Sequence, residues 1–276
     1  MSSSLPIAGV IGDPISHSKS PKLFRHWLDR YQISGHYIPL KVAEQDFESV
    51  VRTLPKMGFV GANVTIPHKE KVLEVADKAT DRAILIGAAN TLIFTNDGQI
   101  RADNTDGYGF LANLRQGAPK WVPDAGPAVV LGAGGAARAV LATLIETGVS
   151  TIYLCNRTRG RAEVLQQSFG PRVTVVDWVE AGNVIEDSQT IINTTSLGMI
   201  GQPELRVPLD GLEPGNVVTD LVYAPLETRL LREARQAGCD VVDGLGMLLH
   251  QAVPGFERWF GQRPEVDHDT RLSVLG

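Results

Sequence analysis

The segment Gly132-Ala133-Gly134-Gly135-Ala136-Ala137 constrains this chain more than any other, because of what stands on either side of it. The apolar run Ala128, Val129, Val130, Leu131 reads as a buried strand, and residues 136–147 read as a helix. Strand, G-x-G-x-x-A turn and helix together open backbone N–H groups to a pyrophosphate at a helix N-terminus, while Ala137 keeps the helix close to the sheet. Further strands are expected at 151–155, 173–176, 190–193, 217–222 and 240–242, separated mostly by helix-length segments. That series specifies a doubly wound parallel sheet.

The end of the second strand distinguishes the dinucleotides. NAD binders place a carboxylate there for the ribose 2′-OH. Here the strand ends in Cys155-Asn156-Arg157-Thr158, without a carboxylate. Arg157 and Arg161 suit a 2′-phosphate through charge-assisted bonds, and cations at a helix start oppose the helix dipole unless an anion compensates. NADP is therefore the expected cofactor.

Upstream the chain alternates again. Strands are expected at 6–11, 36–40 and 61–66, with helices at 21–31 (Ser20 as N-cap, Pro21 at N1), 46–57 and 69–76. Residues 91–94 and 99–102 flank Asn96-Asp97-Gly98 as a hairpin, giving one antiparallel edge. Composition shifts through Pro119, Pro123, Gly126 and Pro127. A chain of 276 residues favours two domains.

The net charge of −5 leaves no basic stripe for nucleic acid. The two cysteines, Cys155 and Cys239, fit a reducing compartment, and no apolar run is long enough to span a membrane. The N-terminus lacks a signal-peptide pattern, so a cytoplasmic protein is expected. The six histidines show no metal-ligand spacing, so no metal is expected. Glycine is enriched, 28 residues where average usage is about 7%. Many of the glycines stand in the turn above and beside Asp106 and Met247, while Gly148 and Gly238 read as helix stops.

Four upstream segments carry polar residues where a strand or loop should be apolar: Ser16-His17-Ser18-Lys19-Ser20-Pro21, Asn63-Val64-Thr65-Ile66-Pro67-His68-Lys69, Gly87-Ala88-Ala89-Asn90-Thr91 and Asn104-Thr105-Asp106-Gly107-Tyr108-Gly109. Asn63 and Thr65 alternate, so both point to one face of a strand end, with Lys69 just beyond. Together with Ile192-Asn193-Thr194-Thr195-Ser196-Leu197-Gly198-Met199, Asp220-Leu221-Val222-Tyr223-Ala224-Pro225 and residues 243–252, these segments resemble the shikimate dehydrogenase family nearly end to end.

The resemblance implies an α/β protein of two domains with a cleft between them. Residues 1–106 would form a substrate domain with a mixed, mainly parallel sheet, completed by residues 244–276, and residues 107–243 a Rossmann-like NADP domain. It implies reversible reduction of 3-dehydroshikimate to shikimate with NADPH, in chorismate and aromatic amino-acid biosynthesis. Lys69 and Asp106 would be the catalytic pair; Ser18 and Ser20 would hold the substrate carboxylate; Asn63, Thr65, Asn90, Asp106, Tyr223 and Gln251 would surround the ring. Gly132, Ala133, Gly134, Gly135, Ala136, Asn156, Arg157, Thr158, Arg161, Thr194, Thr195, Ser196, Leu221, Gly244 and Met247 would line the cofactor. The expected partner is this small molecule rather than nucleic acid or membrane, and a homodimer is compatible with the sequence.

Two departures stand out: His68 replaces a more usual Phe, and Ala89 a common Val. Quinate-accepting relatives often carry Thr at the second serine, and NAD-preferring ones an acidic residue near Arg157. Here Ser20 and Arg157 stand in those places. An enzyme of mixed quinate/shikimate specificity and a non-catalytic NADP-binding sensor remain as alternatives.

Overall fold

The structure is a computed structural model that describes residues 5–275; the first four residues, part of the N-terminus read above, and Gly276 lie outside them. The chain forms two compact units. One runs to Thr105 and resumes at Leu249; the other is Asp106–Leu248.

The first unit contains β1 (Ile7–Gly12), α1 (Ser20–Arg30), β2 (His36–Lys41), α2 (Phe47–Thr53), β3 (Phe59–Val64), α3 (Val72–Val75), β4 (Lys78–Ala79), α4 (Asp81–Ile86), β5 (Thr91–Phe94) and β6 (Ile100–Asp103). Its sheet order is β2-β1-β3-β5-β6-β4. β1 pairs in parallel with β2 and β3, and its core includes Ile11, Phe47, Val64 and Leu92.

Several expected boundaries move, each for a local reason. The helix expected at 69–76 shrinks to α3, because the Lys69 carbonyl accepts the Ala89 N–H at 2.8 Å and Leu73 N–H turns to Glu70 instead. The N-cap of α1 is Lys19, not Ser20, and the Ser20 N–H donates to Ser18 Oγ at 3.3 Å. The helix expected at 46–57 is α2 between single 3-10 turns at Glu44–Asp46 and Leu54–Met57. β3 ends at Val64: the Thr65 N–H still bonds the Ile11 carbonyl of β1, and the Thr65 carbonyl accepts the His68 N–H in a turn. The antiparallel strand is not an edge: β5 is interior, antiparallel to β3 and β6, and β4 closes the sheet in parallel with β6.

The second unit follows as α5 (Asp106–Gly117), β7 (Ala128–Leu131), α6 (Gly135–Thr147), β8 (Ile152–Cys155), α7 (Arg159–Phe169), β9 (Val173–Val176), α8 (Ala181–Glu186), β10 (Thr190–Asn193), β11 (Val217–Asp220), α9 (Arg229–Gln236) and β12 (Asp240–Val242). All six strands are parallel in the order β12-β11-β10-β7-β8-β9, the doubly wound arrangement with its switch point at β7/β10. One apolar cluster packs around Val130 and Leu141, another around Val129 and Leu131, so β7 is buried on both faces.

The chain then enters α10 (Leu245–Phe260), whose first turn belongs to the second unit and whose remainder belongs to the first, and ends in α11 (His268–Leu275). Phe256 and Trp259 of α10 pack against Phe24 of α1, and Phe256 also meets Trp27 edge-on. Burying side chains of this size contributes roughly 1.5–3 kcal/mol each. Trp259 Nε1 donates to the Leu92 carbonyl at 3.1 Å across Gly61, where any Cβ would overlap the indole. This docking fixes the register of α10 and, two turns earlier, the place of Gln251. No helix among the described residues is long and apolar enough to cross a membrane.

Candidate functional site

In the first unit, the ends of β3, β5 and β6 carry a connected polar wall. Asn63, the fifth residue of β3, is buried; its Nδ2 donates to the Asn90 carbonyl (3.1 Å) and to Thr91 Oγ1 (3.3 Å). The Asn90 side chain continues the chain of bonds. Its Oδ1 accepts from the Thr105 N–H (2.9 Å) and from Thr91 Oγ1 (3.0 Å), and its Nδ2 donates to Gln251 Oε1 (3.2 Å). Thr105 Oγ1 donates to the Gln251 carbonyl at 2.8 Å, which ties α10 to the strand ends. Buried amides held on this many sides have little freedom to reorient.

Lys69 is held beside this wall by its backbone. Its carbonyl takes the Ala89 N–H, one residue before Asn90, and His68 anchors the residue ahead of it. The His68 ring is buried, stacked on Phe47 with centroids 4.5 Å apart, and its Nε2–H donates to the Val42 carbonyl at 2.8 Å. The aromatic role of the usual Phe is thus kept, with one added bond. Thr65, half-buried, places its methyl against Gly12 and donates its N–H to the Ile11 carbonyl. Ser18, whose oxygen caps the Ser20 N–H, keeps its own hydroxyl proton free to donate.

Sequence reasoning assigned no role to three members of this wall. Thr91 and Thr105 stand within quoted segments but look like ordinary strand and loop residues. Tyr37 on β2 gave only the signal of a polar-tipped aromatic in an otherwise apolar strand. It is buried, stacks on Phe24 at 3.7 Å, and its hydroxyl donates to Asn63 Oδ1 at 2.7 Å. Burial pushes its phenol well above the ordinary tyrosine range, an effect that the Ser20 hydroxyl partly offsets.

Two expected ring residues lie in the other unit. Asp106 opens α5 and is buried, one peptide bond beyond Thr105. Tyr223 lies beyond β11, half-buried, and burial raises its phenol.

The second unit presents backbone. Gly132 adopts φ +107°, and a Cβ there would stand 2.7 Å from Thr194 Oγ1. Gly134 caps α6 without a side-chain bond, and a Cβ on Gly134 or Gly135 would meet nothing within 4 Å. The N–H groups of Gly134, Gly135 and Ala136 thus stand at an uncapped helix start with space in front of them, which suits an anion. The Ala133 N–H is instead committed to Asn156 Oδ1 at 3.1 Å, and Asn156 Nδ2 binds the Thr158 carbonyl. Arg157 and Arg161 are exposed and make no ion pair among the described residues, whereas Arg159 is held by Asp177 and Glu163.

The hydroxyls of Thr194 and Thr195 are spent on the Leu131 carbonyl (2.8 Å) and Asn193 Oδ1 (2.7 Å), so they shape the turn rather than point outward. Asn193 in turn donates to Asp220, a carboxyl raised by burial against the opposing bonds from Thr228, Val222 and Asn193. Ser196 is exposed, Leu221 donates its N–H to the Asn193 carbonyl, Gly244 lies against the Leu221 backbone, and Met247 packs on the core around Val130.

Comparison with known proteins agrees along the chain. Residues 10–92 match the model of the shikimate dehydrogenase substrate binding domain, residues 123–200 that of shikimate/quinate 5-dehydrogenase, and residues 244–270 that of the shikimate 5'-dehydrogenase C-terminal domain. The chain is 68% identical over 271 residues to a protein of Ruegeria sp. (strain TM1040) named shikimate dehydrogenase (NADP(+)), covering 98% of each. It is 64% identical to the protein of the same name from Paracoccus denitrificans, covering 98% of this chain and 96% of that one. Among solved structures, the shikimate 5-dehydrogenase of Thermus thermophilus in complex with NADP(H) and shikimate superposes with a TM-score of 0.87 at 32% identity, covering 98% of each chain. Quinate dehydrogenase from Corynebacterium glutamicum in complex with NAD gives 0.91 at 29%, over 98% of this chain and 99% of that one.

Proposed function

This chain belongs to the shikimate dehydrogenase family, and from that premise we propose that it is a cytoplasmic NADP-dependent shikimate dehydrogenase serving aromatic amino-acid biosynthesis. The observation that carries the reading is the wall Asn63–Asn90–Thr105–Gln251 with Lys69 tied alongside it. A substrate made of hydroxyls and one carboxylate needs neutral donors and acceptors in fixed directions, and each one left unpaired in a closed site costs about 1–3 kcal/mol.

In this reading the first unit holds the substrate, with Ser18 and Ser20 on its carboxylate and Thr65, Asn90 and Gln251 on its ring. Lys69 gives a proton to the developing alkoxide in the reducing direction and takes it back in oxidation, while its positive charge favours that oxygen's anionic character. Asp106 orients the lysine ammonium and accepts from a ring hydroxyl.

The second unit fits NADP. The open N–H groups of Gly134, Gly135 and Ala136 suit its pyrophosphate. Arg157 and Arg161, which pair with no carboxylate among the described residues, suit its 2′-phosphate. Thr158 extends this edge, and Gly244 and Met247 are assigned to the nicotinamide end. When bound, the cofactor supplies the hydride acceptor or donor.

Measurement of kcat/KM for shikimate and quinate with NADP and with NAD tests the assignment. Shikimate with NADP is expected to give the highest value; preference for quinate with NAD refutes the reading, and no turnover with any pair points to a binding protein without chemistry.

A further inference from the structure

Asn63 can make four hydrogen bonds, and three are already spent. Both Nδ2 hydrogens are taken, by the Asn90 carbonyl at 3.1 Å and Thr91 Oγ1 at 3.3 Å, and one lone pair of Oδ1 accepts from Tyr37. A single lone pair remains. Turning the amide over would set Oδ1 against the Asn90 carbonyl, which only accepts, so that carbonyl holds the nitrogen inward and the oxygen is left to face its own partner. The group that holds the oxygen is the Tyr37 hydroxyl, on a ring buried between β2 and α1 and stacked on Phe24.

We infer that Tyr37 is a positioning residue for the substrate wall: by donating to Asn63 Oδ1 at 2.7 Å it takes one of that oxygen's two lone pairs, and with the nitrogen held inward by the Asn90 carbonyl Asn63 meets a ligand only as an acceptor, in one direction. The ring group opposite Asn63 must then be a hydroxyl that donates, and a carbonyl oxygen at that ring position is rejected. Tyr37 itself touches no ligand in this arrangement. The inference rests on the reading of the wall as the shikimate site.

Tyr37→Phe keeps the ring and its stack on Phe24 and removes only the donor. Steady-state kinetics of this variant should show KM for shikimate raised about tenfold, with kcat and KM for NADP each within about twofold of the parent. An unchanged KM for shikimate overturns the proposal. A fall in kcat together with a rise in both KM values, the mark of general damage, overturns it too.

A second variant reads the same contact without turnover. Asn63→Ala removes the acceptor of the Tyr37 hydroxyl while leaving the stack of Tyr37 on Phe24 in place. Its near-ultraviolet difference spectrum against the parent should show the band shift of a buried tyrosine whose hydrogen bonding has changed, and a flat difference spectrum overturns the proposal. This arm stands if Tyr37→Phe does not fold, and it is read even if the parent fails to oxidise shikimate, which would refute the function and not the role of Tyr37.

Discussion

The two units prepare for their ligands by opposite means. In the first, the groups are side chains whose bonding capacity is nearly consumed: Asn63 and Asn90 are buried and held by Tyr37, Thr91, Thr105 and Gln251. In the second, the groups are backbone N–H donors at glycines with open space where a Cβ would be, and arginines that make no ion pair among the described residues. The first site selects by orientation, since an amide with three of its four bonds made offers one lone pair in one direction. The second recruits charge, since an uncapped helix start and free guanidinium groups are satisfied by any anion that reaches them. Substitutions should therefore act through polarity in the first unit and through added volume or lost charge in the second.

The largest effect should come from the first unit. Lys69→Ala removes the proton donor without opening the core, and kcat for shikimate oxidation should fall by about 10³ with KM for NADP within a factor of two. Steady-state kinetics check this, and near-normal kcat removes Lys69 from the chemistry. The contrast is Gly132→Ala, where the new methyl meets Thr194 Oγ1 at 2.7 Å in a backbone at φ +107°. Left-handed backbone costs a non-glycine residue roughly 1–2 kcal/mol before any clash. NADP affinity by calorimetry and the melting temperature should both drop, while shikimate binding to the free enzyme stays unchanged. Equal loss of shikimate and NADP binding would abolish the distinction between the units.

The second unit was the more legible of the two from sequence, for a physical reason. A parallel sheet buried on both faces writes its strands as apolar runs, and β9, β10 and β12 appear at the expected residues. The first unit mixes parallel and antiparallel pairing with short elements, so β4 and α4 left no periodic signal, and β5 sits inside the sheet rather than at its edge. Candidate site residues were legible as types in order. Their state of bonding was not. Nothing in the string Asn63-Val64-Thr65 says that three of the amide's four bonds are already made, and the partner of its oxygen, Tyr37, is 26 residues away on another strand. The same limit applies to Thr194 and Thr195, whose hydroxyls are spent inside the second unit.

Arg157→Ala sharpens the charge half of the comparison with a smaller effect. Arg157 is exposed and makes no ion pair among the described residues, so its removal should leave the melting temperature within about one degree. KM for NADP should rise about tenfold while KM for NAD changes by less than twofold. Unchanged discrimination between the two dinucleotides would assign the 2′-phosphate elsewhere.

The smallest effect concerns pH and returns to the first unit. His250, next to Gln251 on α10, is pushed down to about 4 by burial, with a further contribution from Arg271. The unfolded chain binds a proton at this residue near pH 6.5 and the folded chain does not, so the unfolded state holds more protons between about pH 6.5 and 4. The contribution of a neutral His250 is complete above about pH 6.5 and is lost as pH falls toward 4. Because the ring is only half-buried, about 1 kcal/mol is expected across that window. His250→Gln cannot take up that proton, so its melting temperature should fall less than the parent's between pH 7 and pH 5. Parallel curves would mean that His250 stays neutral in both states or charged in both. The kinetics of the same variant separate its two effects: if burial of a neutral group at this turn also holds Gln251 in register, KM for shikimate should rise modestly at every pH, whereas a purely titrating role leaves KM at pH 7 untouched.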